Sequence, residues 1–135
     1  EDFVEVCQQF IDIKCFIHSD VQLAHRLNAY GVHLTSNEFE KIKLAKDYGL
    51  NVVVSTHSLE DVIKAQNLGA DMVTYSPIFS TPNKGKPKGI DDLQDLLDKV
   101  SIKVIALGGI VTQKEINLLK DIKVYGFASI RYFTE

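Results

Sequence analysis

Short apolar runs alternate with amphipathic segments along the whole chain. The apolar runs predict six strands, at 14–18, 31–34, 51–55, 72–75, 103–107 and 123–129. Segments with apolar residues at helical spacing predict helices at 3–10, 20–29, 38–48, 58–68, 91–100 and 112–119. Alternation of strands and helices with short connections is typical of right-handed βαβ units and a parallel sheet. The chain is therefore predicted to have an α/β fold.

Six predicted strands leave two architectures open. An open doubly wound sheet fits this number, whereas a (β/α)8 barrel requires two more βα units at the N-terminus. Alternation alone does not choose between the two. In both architectures ligands bind where the strands end and the following helices begin.

Polar residues recur at the carboxyl ends of the predicted strands, in the segments 18–20, 33–38, 55–58, 76–89, 108–110 and 129–131. The opposite strand ends carry ordinary turn residues. This asymmetry predicts a ligand-binding face. The longest polar segment, 76–89, holds all three prolines of the chain together with three lysines. Its lysines and hydroxyl groups indicate an anionic ligand.

Several strand-end residues are candidates for chemistry, each with a structural alternative. Gly108 and Gly109 bring backbone N–H groups close to a phosphate, or they form a tight turn. His57 starts a predicted helix and acts as a proton carrier or makes a local hydrogen bond. Asp20 and Glu38 form a weak magnesium pair, although Asp20 is equally suited to capping a helix. His33, which alternates with apolar neighbours, is expected to be a hydrogen-bonded core histidine.

Composition narrows the class of protein. The 135 residues are 45% hydrophobic with a formal net charge of −3, which predicts one globular domain and gives no general case for nucleic-acid binding. No apolar run reaches the length of a membrane span, and the acidic first residues do not resemble a secretory signal. We expect Cys7 and Cys15 to be reduced thiols of a cytoplasmic protein. The chain begins without Met, so we expect a fragment or a processed product.

Five motifs, in order, resemble the thiamin phosphate synthase/TenI family. They are GVHL at 31–34, VSTHSLE at 54–60, GAD at 69–71, SPIFSTPNK at 76–84 and ALGGI at 106–110. The resemblance covers nearly the whole chain. It implies a (β/α)8 TIM barrel of which residues 1–135 form a single incomplete domain, with strands three to eight present and the first two βα units missing.

The resemblance also implies an activity. The synthase of this family joins hydroxymethylpyrimidine diphosphate to thiazole phosphate, giving thiamin phosphate, while Mg²⁺ neutralises the leaving diphosphate. Its relative TenI tautomerises a thiazole phosphate, using a histidine and no cofactor. We therefore expect a synthase-type transferase, with a thiazole tautomerase and a non-catalytic phosphate-binding regulator as alternatives. The expected partners are phosphorylated pyrimidine and thiazole ligands, and a homo-oligomer is an open option.

The family motifs assign roles to individual residues. The expected catalytic residues are His57, which matches the tautomerase histidine, and Lys84. Substrate and phosphate binding is expected from His18, Ser55, Thr81, Asn83, Gly108, Gly109, Ser129 and Arg131. The expected metal ligands are Asp20 and Glu38. Ser19 stands where the synthase normally has an Asp metal ligand, and Arg131 stands where it has Ser.

Overall fold

The computed structural model describes residues 2–134, and the strands within this range form one six-stranded parallel sheet in sequence order. The strands are β1 (Phe16–His18), β2 (Gly31–Leu34), β3 (Asn51–Thr56), β4 (Met72–Tyr75), β5 (Lys103–Leu107) and β6 (Gly126–Ala128). The helices are α1 (Asp2–Gln8), α2 (Val21–Arg26), α3 (Ile42–Asp47), α4 (Leu59–Asn67), α5 (Gly89–Leu97) and α6 (Gln113–Leu119). None of the helices in the described range is long and apolar enough to cross a membrane.

Each predicted strand and helix is present, and β2, β4 and β5 have the predicted bounds. Two differences are informative. The predicted helix at 38–48 is divided into a 3-10 turn, Phe39–Lys41, and α3. Glu38 immediately before this turn directs its carboxylate to Lys41 and to the loop after β2, as described below. The predicted strand at 123–129 shortens to β6, which pairs only with β5 among the described residues.

Strand order decides between the two architectures left open by the sequence. A doubly wound sheet reverses its strand order and places helices on both faces. Here the order is β1-β2-β3-β4-β5-β6, and right-handed crossovers between neighbouring parallel strands place every connecting helix on the same face. The architecture is therefore a curled half-barrel of the TIM-barrel type.

The two faces of the sheet are buried to different degrees. On the helix-covered face, Val32, Val52, Val54 and Val73 are completely buried. On the other face His33 and Ser55 are only partly buried, although Val53 and Thr74 are buried. The hydrophobic core therefore lies between the sheet and its helices, while the opposite face presents partly accessible side chains, as the inner face of a barrel would.

Two threonines on adjacent strands give a test of this packing. The buried Thr56 hydroxyl donates to the Thr74 carbonyl oxygen at 2.7 Å, whereas the buried Thr74 hydroxyl has no partner among the described residues. We expect Thr56→Val to lower the free energy of unfolding by about 1 kcal/mol, because a hydrogen bond is lost. Thr74→Val should raise it by about 1 kcal/mol, because an unpaired buried hydroxyl is removed.

Denaturant titration of both variants measures these changes. Each serves as the control for the other, since both replace a hydroxyl by a methyl group at a buried strand position. A Thr74→Val protein that is destabilised as much as Thr56→Val would contradict the assignment of an unpaired hydroxyl.

Candidate functional site

A cleft of about 830 Å³ opens at the carboxyl ends of the strands. It is formed by the ends of β3, β5 and β6 and by the loops that follow β2, β3, β4, β5 and β6. Its lining residues are Thr35, Ser36, Ser55, His57, Ser76, Pro77, Thr81, Asn83, Lys84, Leu107, Gly108, Gly109, Ile110, Ala128, Ser129, Ile130 and Arg131. Most of the expected substrate-binding residues and both expected catalytic residues therefore line one cleft.

The remaining expected residues, His18, Asp20 and Glu38, do not line this cleft. A second cleft of about 460 Å³ at the end of β1 is lined by His18, Ser19 and Asp20, together with Lys41 from the 3-10 turn. Thr35 belongs to the loop after β2. It lines the first cleft, and its N–H group donates to the Glu38 carboxylate.

The two glycines after β5 allow the loop after β4 to pack against them. Both have positive φ values, +104° at Gly108 and +70° at Gly109. A Cβ atom at Gly108 would lie 2.8 Å from Pro77 Cα, and one at Gly109 would lie 2.6 Å from the Ser80 carbonyl oxygen. The Phe79 N–H group donates to the Gly108 carbonyl oxygen at 3.0 Å. The tight-turn interpretation therefore applies, and the same turn places the glycine backbone in the cleft wall.

The loop after β6 is fixed to the same turn by Ser129. Its hydroxyl donates to the Ile110 carbonyl oxygen and accepts from the Tyr132 N–H group at 3.1 Å. The hydroxyl proton is thus already used within the protein. Arg131, two residues later, is exposed at the cleft and forms no ion pair within the described part of the chain.

His57 is oriented by Ser76 at the end of β4. His57 Nδ1 lies 3.2 Å from the Ser76 carbonyl oxygen and 3.2 Å from the Ser76 hydroxyl. Since a carbonyl oxygen only accepts, a proton on Nδ1 satisfies it, and in the neutral ring Nε2 then carries the lone pair. This arrangement is suited to a proton carrier at the cleft.

His33, expected from the sequence to be a hydrogen-bonded core histidine, contacts a residue of the cleft. Its Nε2 lies 2.9 Å from the Ser55 hydroxyl, and its ring meets the His18 ring edge-on with centroids 5.9 Å apart. Burial and the neighbouring His18 lower the pKa of His33, so the ring is neutral and can exchange a hydrogen bond with Ser55. Alternation with Val32 and Leu34 was the signal that placed His33 on this face.

Comparison with known proteins decides the family. The sequence model described as thiamine monophosphate synthase matches residues 1–133. The chain belongs to this family. It is 37% identical to the provisionally named thiamine-phosphate synthase 2 of Aquifex aeolicus, over 88% of this chain and 65% of that protein. It is 31% identical to the thiamine-phosphate synthase of Lactococcus lactis subsp. cremoris, over 91% of this chain and 58% of that protein.

A solved structure agrees with this family assignment. The thiamine phosphate pyrophosphorylase from Pyrococcus furiosus superimposes with a TM-score of 0.78 at 28% identity, covering 93% of this chain and 61% of that chain. The 135 residues thus span less than two thirds of the length of these relatives.

The expected metal ligands of this family member are already engaged. Glu38 Oε2 accepts from the Ser19 hydroxyl at 2.8 Å and from the Thr35 N–H group at 2.9 Å. Glu38 Oε1 accepts from Lys41 Nζ at 2.6 Å. These bonds, the Lys41 bond first, lower the pKa of Glu38 to about 2. Asp20 accepts from the Leu23 N–H group at 2.8 Å and so caps the N-terminus of α2, the structural role that the sequence left open for it.

This donor set does not fit a divalent cation. Mg²⁺ prefers several oxygen ligands in octahedral geometry, usually from carboxylates and water. Here Ser19 offers a hydroxyl, and both Glu38 oxygens bind protein donors, one of them a cation. Within residues 2–134, no group of three or more His, Cys, Asp or Glu side chains has metal-binding geometry. The Asp20–Glu38 magnesium pair stays a prediction, and the bonds of both carboxylates within the protein do not favour it.

Substitution of Gly109 tests whether the loop after β4 packs against the glycine turn after β5. Gly109→Ala should lower the free energy of unfolding by about 3 kcal/mol, because it combines a left-handed backbone penalty with a clash against the Ser80 carbonyl. Gly85→Ala is the matched control: its φ is +74°, but nothing lies within 4 Å of the added Cβ. It should cost only about 1 kcal/mol. Equal losses in denaturant titration would show that the loops do not pack as described.

Proposed function

We propose that this chain carries the substrate cleft of an enzyme that joins hydroxymethylpyrimidine diphosphate to thiazole phosphate, forming thiamin phosphate and releasing diphosphate. One observation carries the proposal: the loop after β4 and the glycine turn after β5 face a common cleft of about 830 Å³. This volume lies in the range of small-molecule sites. The family assignment and the names of the relatives support the same reaction.

The polar and charged residues that line the cleft indicate where each of the two phosphorylated substrates binds. Lys84, with Thr81 and Asn83, supplies a cation and polar groups for the diphosphate. Gly108 and Gly109 also line the cleft, where backbone N–H groups of a glycine turn suit the thiazole phosphate. During bond formation negative charge accumulates on the leaving diphosphate, so the Lys84 ammonium stabilises it most in the transition state.

Further residues complete these two subsites. Arg131 adds a second cation beside the thiazole phosphate, and Ser129 positions that loop through Ile110. Ser55 lines the pyrimidine side and is oriented by His33. His18 contacts His33 from the neighbouring cleft, so we assign it a positioning role.

The sheet is proposed to supply strands three to eight of a (β/α)8 barrel whose first two βα units lie outside these 135 residues. The sequential strand order supports this, as do the outer strands β1 and β6, each of which pairs on one side only within the described range. The greater length of the relatives leaves room for two such units. Closure would convert the half-exposed face into a barrel interior.

A second candidate activity is tautomerisation of a thiazole phosphate. The hydrogen bond between His57 Nδ1 and Ser76 favours it, because it leaves Nε2 as a base within the cleft. The reaction requires a phosphate anchor and a proton carrier, and it places no demand on Asp20 or Glu38. The two activities differ in the residue on which they depend.

Coupling is tested by measuring thiamin phosphate formation from the two phosphorylated substrates, using the protein at its full native length. Lys84→Ala should reduce kcat by roughly 100-fold, the loss typical for removing one charge-stabilising donor. Lys86→Ala is the matched control, since Lys86 is an exposed lysine of the same loop that does not line the cleft. Similar rates for the two variants would exclude Lys84 from the proposed role.

Tautomerisation is tested by NMR on the thiazole phosphate alone. His57→Ala should slow tautomerisation by at least about 100-fold, because it removes the proton carrier, while coupling should change little. His25→Ala, which alters an exposed histidine on α2, provides the control. If His57→Ala leaves tautomerisation unchanged, the second activity does not reside in this cleft.

A further inference from the structure

Lys41 lies where the ends of two strands meet. The 3-10 turn after β2 carries Lys41 toward the end of β1, and Lys41 Nζ donates to the Ser19 carbonyl oxygen at 3.1 Å. The same Nζ lies 2.6 Å from Glu38 Oε1. A single positive charge thus connects the loop after β1 with the loop after β2.

The ion pair is held firmly by its surroundings. Glu38 uses its second oxygen to accept from the Ser19 hydroxyl and the Thr35 N–H group. Lys41 Nζ donates to Glu38 Oε1 at 2.6 Å, and its ammonium group is charged at neutral pH, as lysine side chains ordinarily are. The position of the cation is therefore defined before any ligand arrives.

The ammonium group also retains capacity for a ligand. An ammonium has three N–H donors, and the contacts to Glu38 and Ser19 use two of them. The Lys41 side chain is 38% exposed and lines the second cleft with His18 and Ser19. One donor is thus available to an oxygen atom entering from this cleft, beside the Thr35 loop that forms part of the first cleft.

The charge arrangement resembles that of a bridging metal. A divalent cation at this position would connect protein carboxylates to diphosphate oxygens. In the same way, Lys41 Nζ binds the Glu38 carboxylate and keeps one N–H donor for a diphosphate oxygen. Ser19 contributes a neutral hydroxyl in place of a second carboxylate. With fewer negative charges and a resident ammonium, the site has less need of a metal and less room for one.

We propose that Lys41 Nζ takes the place of the divalent cation and binds a terminal diphosphate oxygen of the pyrimidine substrate, so that diphosphate binding by this chain is independent of metal. The inference rests on the proposed function, because it concerns the diphosphate end of the same substrate. It differs from the family expectation of Mg²⁺ because Ser19 stands where the synthase normally has Asp, and because Glu38 is paired with Lys41.

The test is calorimetric titration of inorganic diphosphate into the native-length protein, once with Mg²⁺ and once with a chelator. We expect the two Kd values to agree within about twofold. Lys41→Gln should weaken binding at least about tenfold, since a charge-assisted hydrogen bond is lost. Lys43→Gln should have no effect, because Lys43 is an exposed lysine that pairs with Asp47 at 3.0 Å away from this cleft.

Two further variants keep the test decisive if Lys41→Gln fails to fold. Lys41→Arg retains the cation and should bind diphosphate without metal. The double variant Ser19→Asp/Lys41→Ala exchanges the ammonium for a second carboxylate and should gain Mg²⁺-dependent binding, with Mn²⁺ binding visible by electron paramagnetic resonance. The unaltered protein should leave the spectrum of free Mn²⁺ unchanged.

The outcomes separate this inference from the proposed function. If diphosphate binds the unaltered protein only with Mg²⁺ while thiazole phosphate binds normally, Lys41 does not replace the metal and the proposed function stands. If neither thiazole phosphate nor diphosphate binds under any condition, the proposed function fails, and the Lys41 inference with it. Loss of metal-independent binding in Lys43→Gln as well as Lys41→Gln would also contradict the inference, since it would indicate a general charge effect.

Discussion

The shared handedness of the strand–helix–strand connections is the constraint on which the rest of the structure depends. Because the strands follow one another in sequence order, every crossover turns the same way and every connecting helix covers the same face. The same constraint brings all the strand carboxyl ends to one edge. Loops that are far apart in sequence therefore meet there, and the cleft follows from the topology without any dedicated domain interface.

Much of this arrangement could be predicted from local sequence. β3 contains the apolar run Val52–Val54, and β5 leads directly into Gly108, so their positions are encoded within a few residues. The rule that ligands bind at strand ends then identified most of the residues lining the cleft. The choice between a doubly wound sheet and a barrel depends on strand order, which is a property of long-range pairing and leaves no local trace.

The parts that could not be predicted are contacts between side chains distant in sequence. Ser19 meets Glu38, His33 meets Ser55, and the Ser129 hydroxyl meets the Ile110 carbonyl, each across about twenty residues. A residue type indicates what a side chain can bind, but it does not indicate which neighbouring side chain the fold brings into contact with it. Glu38 is thus suited to metal binding by its chemistry, whereas in the fold its carboxylate also accepts from Ser19, which lies 19 residues earlier in the chain.

The proposed replacement of a metal by Lys41 weakens the electric field at the diphosphate, and other groups must offset this loss. A divalent ion presents two charges at about 2 Å from its ligands, whereas an ammonium presents one charge at hydrogen-bond distance, already partly neutralised by Glu38. In the proposed function, diphosphate binding is therefore distributed over several weaker donors, among them Lys84 and the polar groups after β4. A site built in this way loses affinity per group, but its cation is covalently part of the chain and is positioned before the substrate binds, which lowers the reorganisation required during the reaction.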